Sequence, residues 1–187
     1  EAGEPGSESN RIEIANALAL YTQYTIALDR LKLIPGLRYE NIAISREDYG
    51  KNDPERTGVD LAKRSNTVDV WIPGIGMEYK LSSKMKLISG IHKGFSPPGS
   101  KEGTNPEESV NYELGVRHEN KTLRAGIIAY LNDYQNLLGV DLAAGGGTGS
   151  GNLFNGGTAM VTGVEVDIFY GPKISQNLVL PLQLSYT

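Results

Sequence analysis

The chain has 187 residues, and its 18 Lys and Arg residues against 22 Asp and Glu residues give a formal net charge of −4. This balance supplies no basic field for nucleic acid, so no nucleic-acid partner is expected. The absence of cysteine excludes disulfides and thiolate metal sites. The mean hydropathy is −0.30, and no apolar run is long enough for a transmembrane helix. A membrane β-barrel remains possible, because only every second residue of its strands must be apolar.

The first part of the chain is predicted to form two strands. Residues 1–10 are small, acidic and polar, which is typical of a loop. Apolar residues alternate over residues 11–28, although the Ala and Leu content would also suit a helix. A tight turn at Asp29 and Arg30 leads to a second strand from Leu31 to about Arg46. Four β-branched or aromatic residues favour the strand over the helix in the first segment: Thr22, Tyr24, Thr25 and Ile26.

The next segments alternate between long polar loops and strands. Residues 47–66 are charged, rich in turn formers and without periodicity, so they predict a long loop. A third strand is expected over residues 67–81, with Trp71 near its loop end at an interfacial aromatic girdle. A fourth strand is expected over residues 85–95, and a second long loop over residues 96–108.

Residues 106–138 show the clearest alternation and predict a hairpin joined at Asn120 and Lys121. Each of its two strands has about ten residues or more, against about five or six in an ordinary soluble strand. About nine to eleven tilted residues are needed to cross a bilayer as a β-strand. In the first strand one phase is apolar and the other polar: Val110, Tyr112, Leu114 and Val116 against Asn111, Glu113, Gly115 and Arg117.

A glycine-rich loop over residues 143–157 precedes a seventh strand at 158–170 and an eighth at 177–187. Its glycines lack the Gly-Lys-Ser/Thr of a phosphate-binding loop, so a surface loop is expected. Short turns near residues 29, 83, 120 and 173 thus alternate with three long loops. Bacterial outer-membrane barrels have this arrangement, with short periplasmic turns and long extracellular loops.

Four segments, in order along the chain, carry a family resemblance. They are LIPGLRYENI from Leu33, GIHKGFSPP from Gly90, PEESVNYELGVR from Pro106 with the strand that ends in AYLNDYQNLL, and NGGTAMVTGVEVDI from Asn155. This ordered set resembles the late barrel of TonB-dependent outer-membrane receptors, and it is most similar to the ferric-dicitrate type.

The resemblance implies an all-β fold, an antiparallel meander of about eight long strands that forms part of a 22-stranded transmembrane barrel. Residues 1–187 would be a partial barrel domain, with the plug domain and the remaining strands outside this chain. The parent protein would be an outer-membrane receptor that imports a ferric chelate such as ferric dicitrate and would not be an enzyme. Its implied partners are the chelate, outer-membrane lipid, the rest of the receptor and the TonB complex, which the absent plug segment would contact.

The barrel interpretation assigns the two strand phases to lipid and to the lumen. Polar residues are expected inside because the lumen of a large barrel is wet. The expected lipid-facing set is Val110, Tyr112, Leu114, Val116, Val164, Val166, Ile168, Leu180 and Leu182. The expected lumenal set is Asn111, Glu113, Arg117, Glu165 and Asp167.

Three arginines of the segment 46–64, which overlaps most of the first long loop, are the candidate ligand-binding residues: Arg46, Arg56 and Arg64. Guanidinium groups match carboxylates in a bidentate way, and ferric dicitrate is anionic. No catalytic set and no cofactor are expected. His92 and His118 lie on different predicted strands without clustered acidic partners, so no metal site is expected either.

Two other classes remain open. A small eight-stranded outer-membrane barrel acting as an adhesin or anchor would close on a side-chain-filled interior. The glycines of the inward phase argue against it, as does the expectation that the last strands are missing. A secreted β-sandwich binding module would instead bury one face of each strand in a protein core.

Overall fold

The computed structural model describes residues 10–140, 153–176 and 178–187, and every regular element among them is a β-strand. The glycine-rich stretch at 143–152 lies outside the described residues, as do residues 1–9. The strands are β1 (Arg11–Gln23), β2 (Ile26–Leu28), β3 (Leu31–Asp48), β4 (Ala62–Lys80), β5 (Met85–Ser96), β6 (Glu107–Glu119), β7 (Leu123–Gln135), β8 (Leu138–Val140), β9 (Leu153–Asn155), β10 (Ala159–Tyr170), β11 (Lys173–Ser175), β12 (Leu178–Val179) and β13 (Leu182–Tyr186).

Nine of these strands form one antiparallel sheet in the order β1-β3-β4-β5-β6-β7-β10-β13, with β2 also paired to β3. Neighbours in the sheet follow one another along the chain, so the predicted meander is confirmed. In the described residues β1 pairs only with β3 and β13 only with β10. The sheet is therefore open in this part of the chain, whereas the small eight-stranded barrel would need its first and last strands to meet.

β1 and β2 are one continuous element of the wall. Gln23 pairs with Gly36 and Ile26 pairs with Leu33, which is the same register on both sides of the break. Between them the backbone N–H of Tyr24 donates to the carbonyl of Pro35 at 2.9 Å. Because Pro35 has no N–H, the reciprocal hydrogen bond is missing there. This single gap divides the strand that was predicted over residues 11–28.

The strands next to the first long loop are longer than predicted. β3 continues to Asp48 and β4 begins at Ala62, so the loop covers residues 49–61 and not 47–66. Charged residues pair across the added rows, and the Lys63 ammonium lies 2.7 Å from a carboxylate oxygen of Glu47. The polar composition that indicated a loop thus belongs partly to two paired strands.

The predicted eighth strand is shorter than expected. β13 pairs with β10 only from Leu182 onwards, while Leu178 and Val179 form a separate small hairpin with β11. Pro181 lies in the gap between β12 and β13 and has no N–H to donate to a ladder. The connection predicted as a plain turn at residues 171–176 therefore contains a small hairpin.

Cross-strand registers assign each residue to one of two faces, because paired residues lie on the same face of a sheet. Leu114 pairs with Ser89 and Ala129, and residues in phase with it define the outer face. Glu113 pairs with Gly90 and Tyr130 and lies on the opposite, inner face. All strand residues of the expected lipid-facing set share the outer face, and the expected lumenal set shares the inner face. Leu180 lies outside the strands.

The outer face changes composition at the cross-strand pair of Tyr39 and Trp71, whose ring centroids are 4.8 Å apart. On the side of the short turns, the outer-face residues of β4 down to Tyr79 are apolar or proline; on the other side they are polar, beginning with Asp69. Eight residue steps separate Tyr79 from Trp71, about 26 Å along the strand. At a tilt of 35–45° this rises about 20 Å, close to the ~25 Å apolar band of a membrane barrel.

We call the Tyr39–Trp71 pair the aromatic level. The sheet on the short-turn side is the lower wall, and the sheet and loops on the long-loop side are the upper wall.

The prediction that Trp71 lies near the loop end of its strand was wrong, since β4 continues for nine residues beyond it to Ala62. Its interfacial environment is consistent with the change in composition at this level.

A small hydrophobic core lies in the upper wall. Ile42, Ile44 and Val68 are buried together on the inner face, and Phe95 of β5 packs against them. Val70, the neighbour of Trp71 in β4, is only 1 % exposed. The part of the wall beyond the aromatic level thus has side chains packed as in a soluble protein.

Candidate ligand-binding face

The inner face of the lower wall contains a trough lined by glycine. Gly36 pairs with Gly74, and Gly76 pairs with Gly90, on three adjacent strands. Glycine has no side chain, so the backbone itself forms the floor of a cavity of about 520 Å³. Polar side chains line the edges of this glycine trough: Tyr21, Gln23, Arg38, His92 and Glu113.

Two contacts define the edges of the glycine trough. The Arg38 Nε lies 2.5 Å from Oε1 of Glu40, an ion pair along β3. His92 pairs with Gly74, and a Cβ added to Gly74 would lie 3.0 Å from the Cβ of His92. A larger residue at position 74 would therefore displace the histidine, and the trough depends on glycine there.

Above the trough, the structure brings together two of the three predicted arginines. Arg46 of β3 and Arg64 of β4 are direct cross-strand partners, and Glu13 of β1 is the partner of Arg46 on its other side. All three lie on the inner face, in phase with Arg38. Two cationic side chains of the upper wall thus occupy adjacent positions on the face that also carries the glycine trough.

Arg46 is only 9 % exposed, and it forms an ion pair through Nη2 with Oδ2 of Asp48 at 2.6 Å. Its Nε is buried without a hydrogen-bond partner among the described residues. A buried guanidinium donor without a partner is unfavourable by about 1–3 kcal/mol or more. An acceptor that reached this nitrogen would remove that cost.

Arg56, the third predicted arginine, lies in the loop and not on the sheet. Its Nε donates to Oδ1 of Asn10 at 2.8 Å, and its guanidinium carbon lies 5.8 Å from the centroid of the Tyr49 ring. Its backbone has a φ of +55°, a left-handed conformation that is uncommon outside glycine. These contacts give Arg56 a structural role in loop 49–61.

Asn10 organises loop 49–61, and sequence reasoning missed it. The residue is 0 % exposed, and its Nδ2 donates to the carbonyls of Gly50 and Asp53, both at 2.9 Å. Its own carbonyl accepts from the N–H of Tyr49 at 2.9 Å. In the sequence Asn10 stands at the end of a polar segment. The only signal for its role in holding loop 49–61 is that an asparagine side chain can both donate and accept hydrogen bonds.

Asp53 closes the far end of the same loop. Its Oδ1 accepts hydrogen bonds from the N–H and hydroxyl of Thr57, and its Oδ2 accepts from the N–H of Gly58 at 2.6 Å. Burial of the carboxyl opposes its ionisation, but the hydrogen bonds from Thr57, Gly58 and Val59 outweigh burial and hold the pKa of Asp53 below its ordinary 3.8. The loop is therefore built around an ionised carboxylate.

Loop 97–106 is attached to both of its neighbours. Asn66 of β4 donates through Nδ2 to the carbonyls of Gly99 at 3.2 Å and Thr104 at 2.9 Å. On its other side, Asn105 and Asn155 exchange two hydrogen bonds of 3.1 and 3.0 Å. Loop 97–106 and the described part of the third long connection thus form a hydrogen-bonded cap that is anchored to β4 at the upper end of the wall.

Two features are absent from the described residues. No helix there has the length and apolar character to cross a membrane. No group of three or more His, Cys, Asp and Glu residues in those ranges is arranged to hold a metal ion.

A family model described as "TonB dependent receptor-like, beta-barrel" matches residues 2–187. The ferric enterobactin receptor of Pseudomonas aeruginosa is 27% identical over 156 residues, which is 62% of this chain and 21% of that protein. This chain therefore spans about a fifth of the length of that curated relative.

Solved structures of the family share the fold. The ferric yersiniabactin uptake receptor FyuA from Yersinia pestis superposes with a TM-score of 0.65 at 20% identity, over 89% of this chain and 25% of that one. The ferric citrate transporter FecA superposes with a TM-score of 0.67 at 18% identity, over 86% of this chain and 23% of that one. The copper transporter OprC superposes with a TM-score of 0.68 at 16% identity, over 88% of this chain and 26% of that one. These three proteins are an uptake receptor and two transporters.

The open meander, its two chemically distinct faces and its alternating loop lengths are features that a barrel wall requires. The family places that wall in the bacterial outer membrane, so the outer face of the lower wall meets lipid and the inner face meets the lumen. With the family model matched over residues 2–187, this chain belongs to the TonB-dependent receptor β-barrel family.

Proposed function

We propose that the chain is part of an outer-membrane receptor that takes up a ferric chelate with energy supplied through TonB. The family match over residues 2–187 carries this proposal. The chain covers 21–30% of the relatives and solved structures compared with it. The remaining barrel strands and the plug, through which the receptor would contact the TonB complex, would be supplied by residues outside this chain.

Within the receptor, residues 1–187 would supply wall and extracellular loops. The long loops lie at the upper end, beyond the aromatic level, and the short turns lie at the other end. A ligand that enters from outside the cell would therefore meet the cap of loops first and the glycine trough afterwards. The trough widens the lumen along β3, β4 and β5, because four inner positions carry no side chain.

The ligand class we favour is an anionic, carboxylate-bearing ferric chelate such as ferric dicitrate. Arg46 and Arg64 are cross-strand partners on the inner face, and the Arg46 Nε is buried without a partner. A carboxylate accepts two parallel hydrogen bonds from a guanidinium, which a neutral or metal-only ligand does not do. In this proposal Arg64 contacts the chelate, Arg46 supports the same anion, and Arg56 acts indirectly by shaping loop 49–61.

The test is uptake of radioactive iron or radioactive copper by cells that express the complete receptor and have no other receptor for the ligands compared. Ferric dicitrate, ferric enterobactin and a copper salt are compared in strains with and without TonB. We expect TonB-dependent uptake of ferric dicitrate, and Arg64→Gln should weaken its binding about tenfold, equivalent to about 1.4 kcal/mol.

Two controls make this test specific. Lys84→Gln removes one positive charge from the short turn between β4 and β5, at the opposite end of the wall, and should leave binding unchanged. Arg64→Lys should restore part of the affinity, since it keeps the charge but loses the bidentate geometry. Uptake of copper alone would overturn the ferric function. Uptake of ferric enterobactin alone, or unchanged binding in Arg64→Gln, would overturn the carboxylate ligand class.

A further inference from the structure

The ion pair between Arg46 and Asp48 lies where the proposed ligand would bind. A carboxylate binds a guanidinium most strongly through two parallel hydrogen bonds, and Nε and Nη2 form one such pair of donors. Asp48 accepts from Nη2 of Arg46 at 2.6 Å, whereas Nε is buried without a partner among the described residues. A carboxylate of the protein itself therefore occupies half of this donor pair.

Asp48 is the partner of this ion pair that has room to move. Its side chain is 26 % exposed, whereas that of Arg46 is only 10 % exposed. Asp48 is the last residue of β3 and leads directly into loop 49–61. It also accepts from the backbone N–H of Gly50, at 3.4 Å, which is longer than an ordinary N–H···O hydrogen bond. A carboxylate held in this way can change its partner more easily than the buried guanidinium can.

A second guanidinium lies beside Asp48, and sequence reasoning did not single it out. Arg11 of β1 is the direct cross-strand partner of Asp48. The Cβ atoms of such partners are about 4.5–5.5 Å apart, so the two side chains are within reach of each other. Burial raises the pKa of the Asp48 carboxyl, but hydrogen bonds from Arg46 and Gly50 and the charges of Arg46 and Arg11 outweigh burial and lower it. Asp48 thus lies between two arginines and is paired with one of them.

We propose that Asp48 is an internal competitor of the chelate and that Arg11 receives Asp48 when the chelate binds. The inference rests on the carboxylate ligand class proposed above. Without the chelate Asp48 pairs with Arg46. A ligand carboxylate takes Nε and Nη2 of Arg46, and Asp48 turns to Arg11. One ion pair replaces another in this exchange, and the buried Nε gains an acceptor. Asp48 and Arg11 therefore set the affinity for the chelate without contacting it.

The exchange is tested on the complete receptor, purified in mild detergent and checked for heat-modifiable migration on a gel. Equilibrium dialysis measures the binding of ferric dicitrate labelled with radioactive iron. Asp48→Asn keeps the shape of the side chain and an oxygen for Arg46 but removes the competing charge. We expect it to bind ferric dicitrate about tenfold more tightly than the native receptor.

Glu47→Gln is the matched control for Asp48→Asn. It removes the same charge one residue away, from a side chain that lies on the outer face and is paired with Lys63. The affinity of this variant should stay within about twofold of the native value, because exposed charges are screened by salt. An equal gain in Glu47→Gln would show that only the net charge matters and would overturn the exchange. Unchanged or weaker binding in Asp48→Asn would overturn it as well.

Arg11→Gln tests the other half of the exchange and leaves the ion pair between Arg46 and Asp48 intact. In the native background it should weaken binding about fivefold, because the displaced Asp48 then has no cation to receive it. In the Asp48→Asn background the same substitution should change the affinity by less than about twofold, since no charge is displaced there. Equal losses in the two backgrounds would mean that Arg11 contacts the chelate or only supports the fold, and would overturn the exchange.

Two further comparisons complete the test. Unchanged binding in Arg11→Gln alone would overturn the exchange, even where Asp48→Asn does not fold. Arg64→Gln in the same dialysis separates the exchange from the proposed function. Weaker binding in Arg64→Gln without a gain in Asp48→Asn would overturn the exchange alone. Unchanged binding in Arg64→Gln would overturn the carboxylate ligand class, and the exchange with it.

Discussion

The lower and upper walls are made from the same strands but are stabilised in different ways. Below the aromatic level β3 and β4 are a single layer with lipid on one face and the lumen on the other. Above it, the same strands bury Ile42, Ile44, Val68 and Val70 on the inner face. The buried polar residues Asn10 and Asp53 lie in or beside the loop at this upper end.

This difference in stabilisation arises because the lower wall is surrounded by hydrocarbon and the upper wall by water. In hydrocarbon every backbone group must be paired within the sheet, and outward side chains need only be apolar, so the lower wall needs no core of its own. The upper wall stands in water, where long strands without a covered face are not stable alone. It therefore folds like a small soluble domain, with a hydrophobic cluster and satisfied buried amides.

The largest expected effect is on the lower wall. Leu114→Arg places a charge on the lipid-facing side near the middle of the apolar run of β6, and should destabilise the receptor by about 2–4 kcal/mol. Equilibrium unfolding in lipid vesicles measures this cost. Glu113→Arg, one residue away on the inner face, is the control and should cost far less. Similar costs for the two variants would contradict the assignment of the faces.

The next effect concerns the core of the upper wall. Ile42→Ala should destabilise this region by about 2–3 kcal/mol, because it leaves a cavity against Ile44, Val68 and Phe95. Hydrogen exchange should accelerate in loops 49–61 and 97–106 but not in the lower wall. Ile127→Ala, on the lipid-facing side of β7, is the comparison and should leave exchange in the upper loops unchanged. Uniform acceleration would show that the two walls unfold together.

A smaller loss is expected from Asn10→Ala. The substitution removes the hydrogen bonds to the carbonyls of Gly50 and Asp53 and the acceptor of Arg56. Water replaces part of them at this end of the wall, so we expect a cost of about 1–2 kcal/mol. Limited proteolysis should then cut loop 49–61 faster. An unchanged cleavage rate would mean that Asn10 does not hold the loop closed.

The smallest effect at neutral pH comes from Asp53. Its pKa is lowered in the folded loop, so its contribution to stability is fully present above about pH 4. That contribution is lost as the pH falls from there through the lowered pKa. Proteolysis of loop 49–61 by an acid-active protease should accelerate over this range in the native receptor. In Asp53→Asn the rate should depend less on pH, and an equal dependence would exclude this carboxylate as the cause.

The fold of the lower wall was predictable because alternation between lipid and lumen leaves a strict period of two in the sequence. The predicted boundaries were wrong where other forces act. The composition around Lys63 and Glu47 predicted a loop, but these two residues are cross-strand partners. The hydrogen bonds of the strand ladder and their ion pair hold them in the sheet. Pro181 breaks the last strand, although the leucines around it continue to alternate.

The candidate site was predictable only in part. The polar segment that contains the three arginines has no periodicity, so the sequence did not show which of its residues pair across strands. It therefore did not indicate that Arg46 and Arg64 are cross-strand partners, or that Arg56 donates a hydrogen bond to Asn10. Asn10 lies more than thirty-five residues from the loop that it holds, and single-sequence reasoning has no signal for such a contact. The glycine trough was visible as inward glycines, but their alignment across strands depends on register.

The two hydrogen bonds from Asn66 to Gly99 and Thr104 bear on the use of this receptor for surface display. Between these anchored residues, Lys101, Glu102 and Gly103 are exposed, and Gly103 has a positive φ with open space around it. A peptide epitope inserted after Glu102 would therefore have both of its ends held on the cell surface. The same insertion after Gly99 would fall beside Ser100, which is buried, and would disturb the packing of the loop.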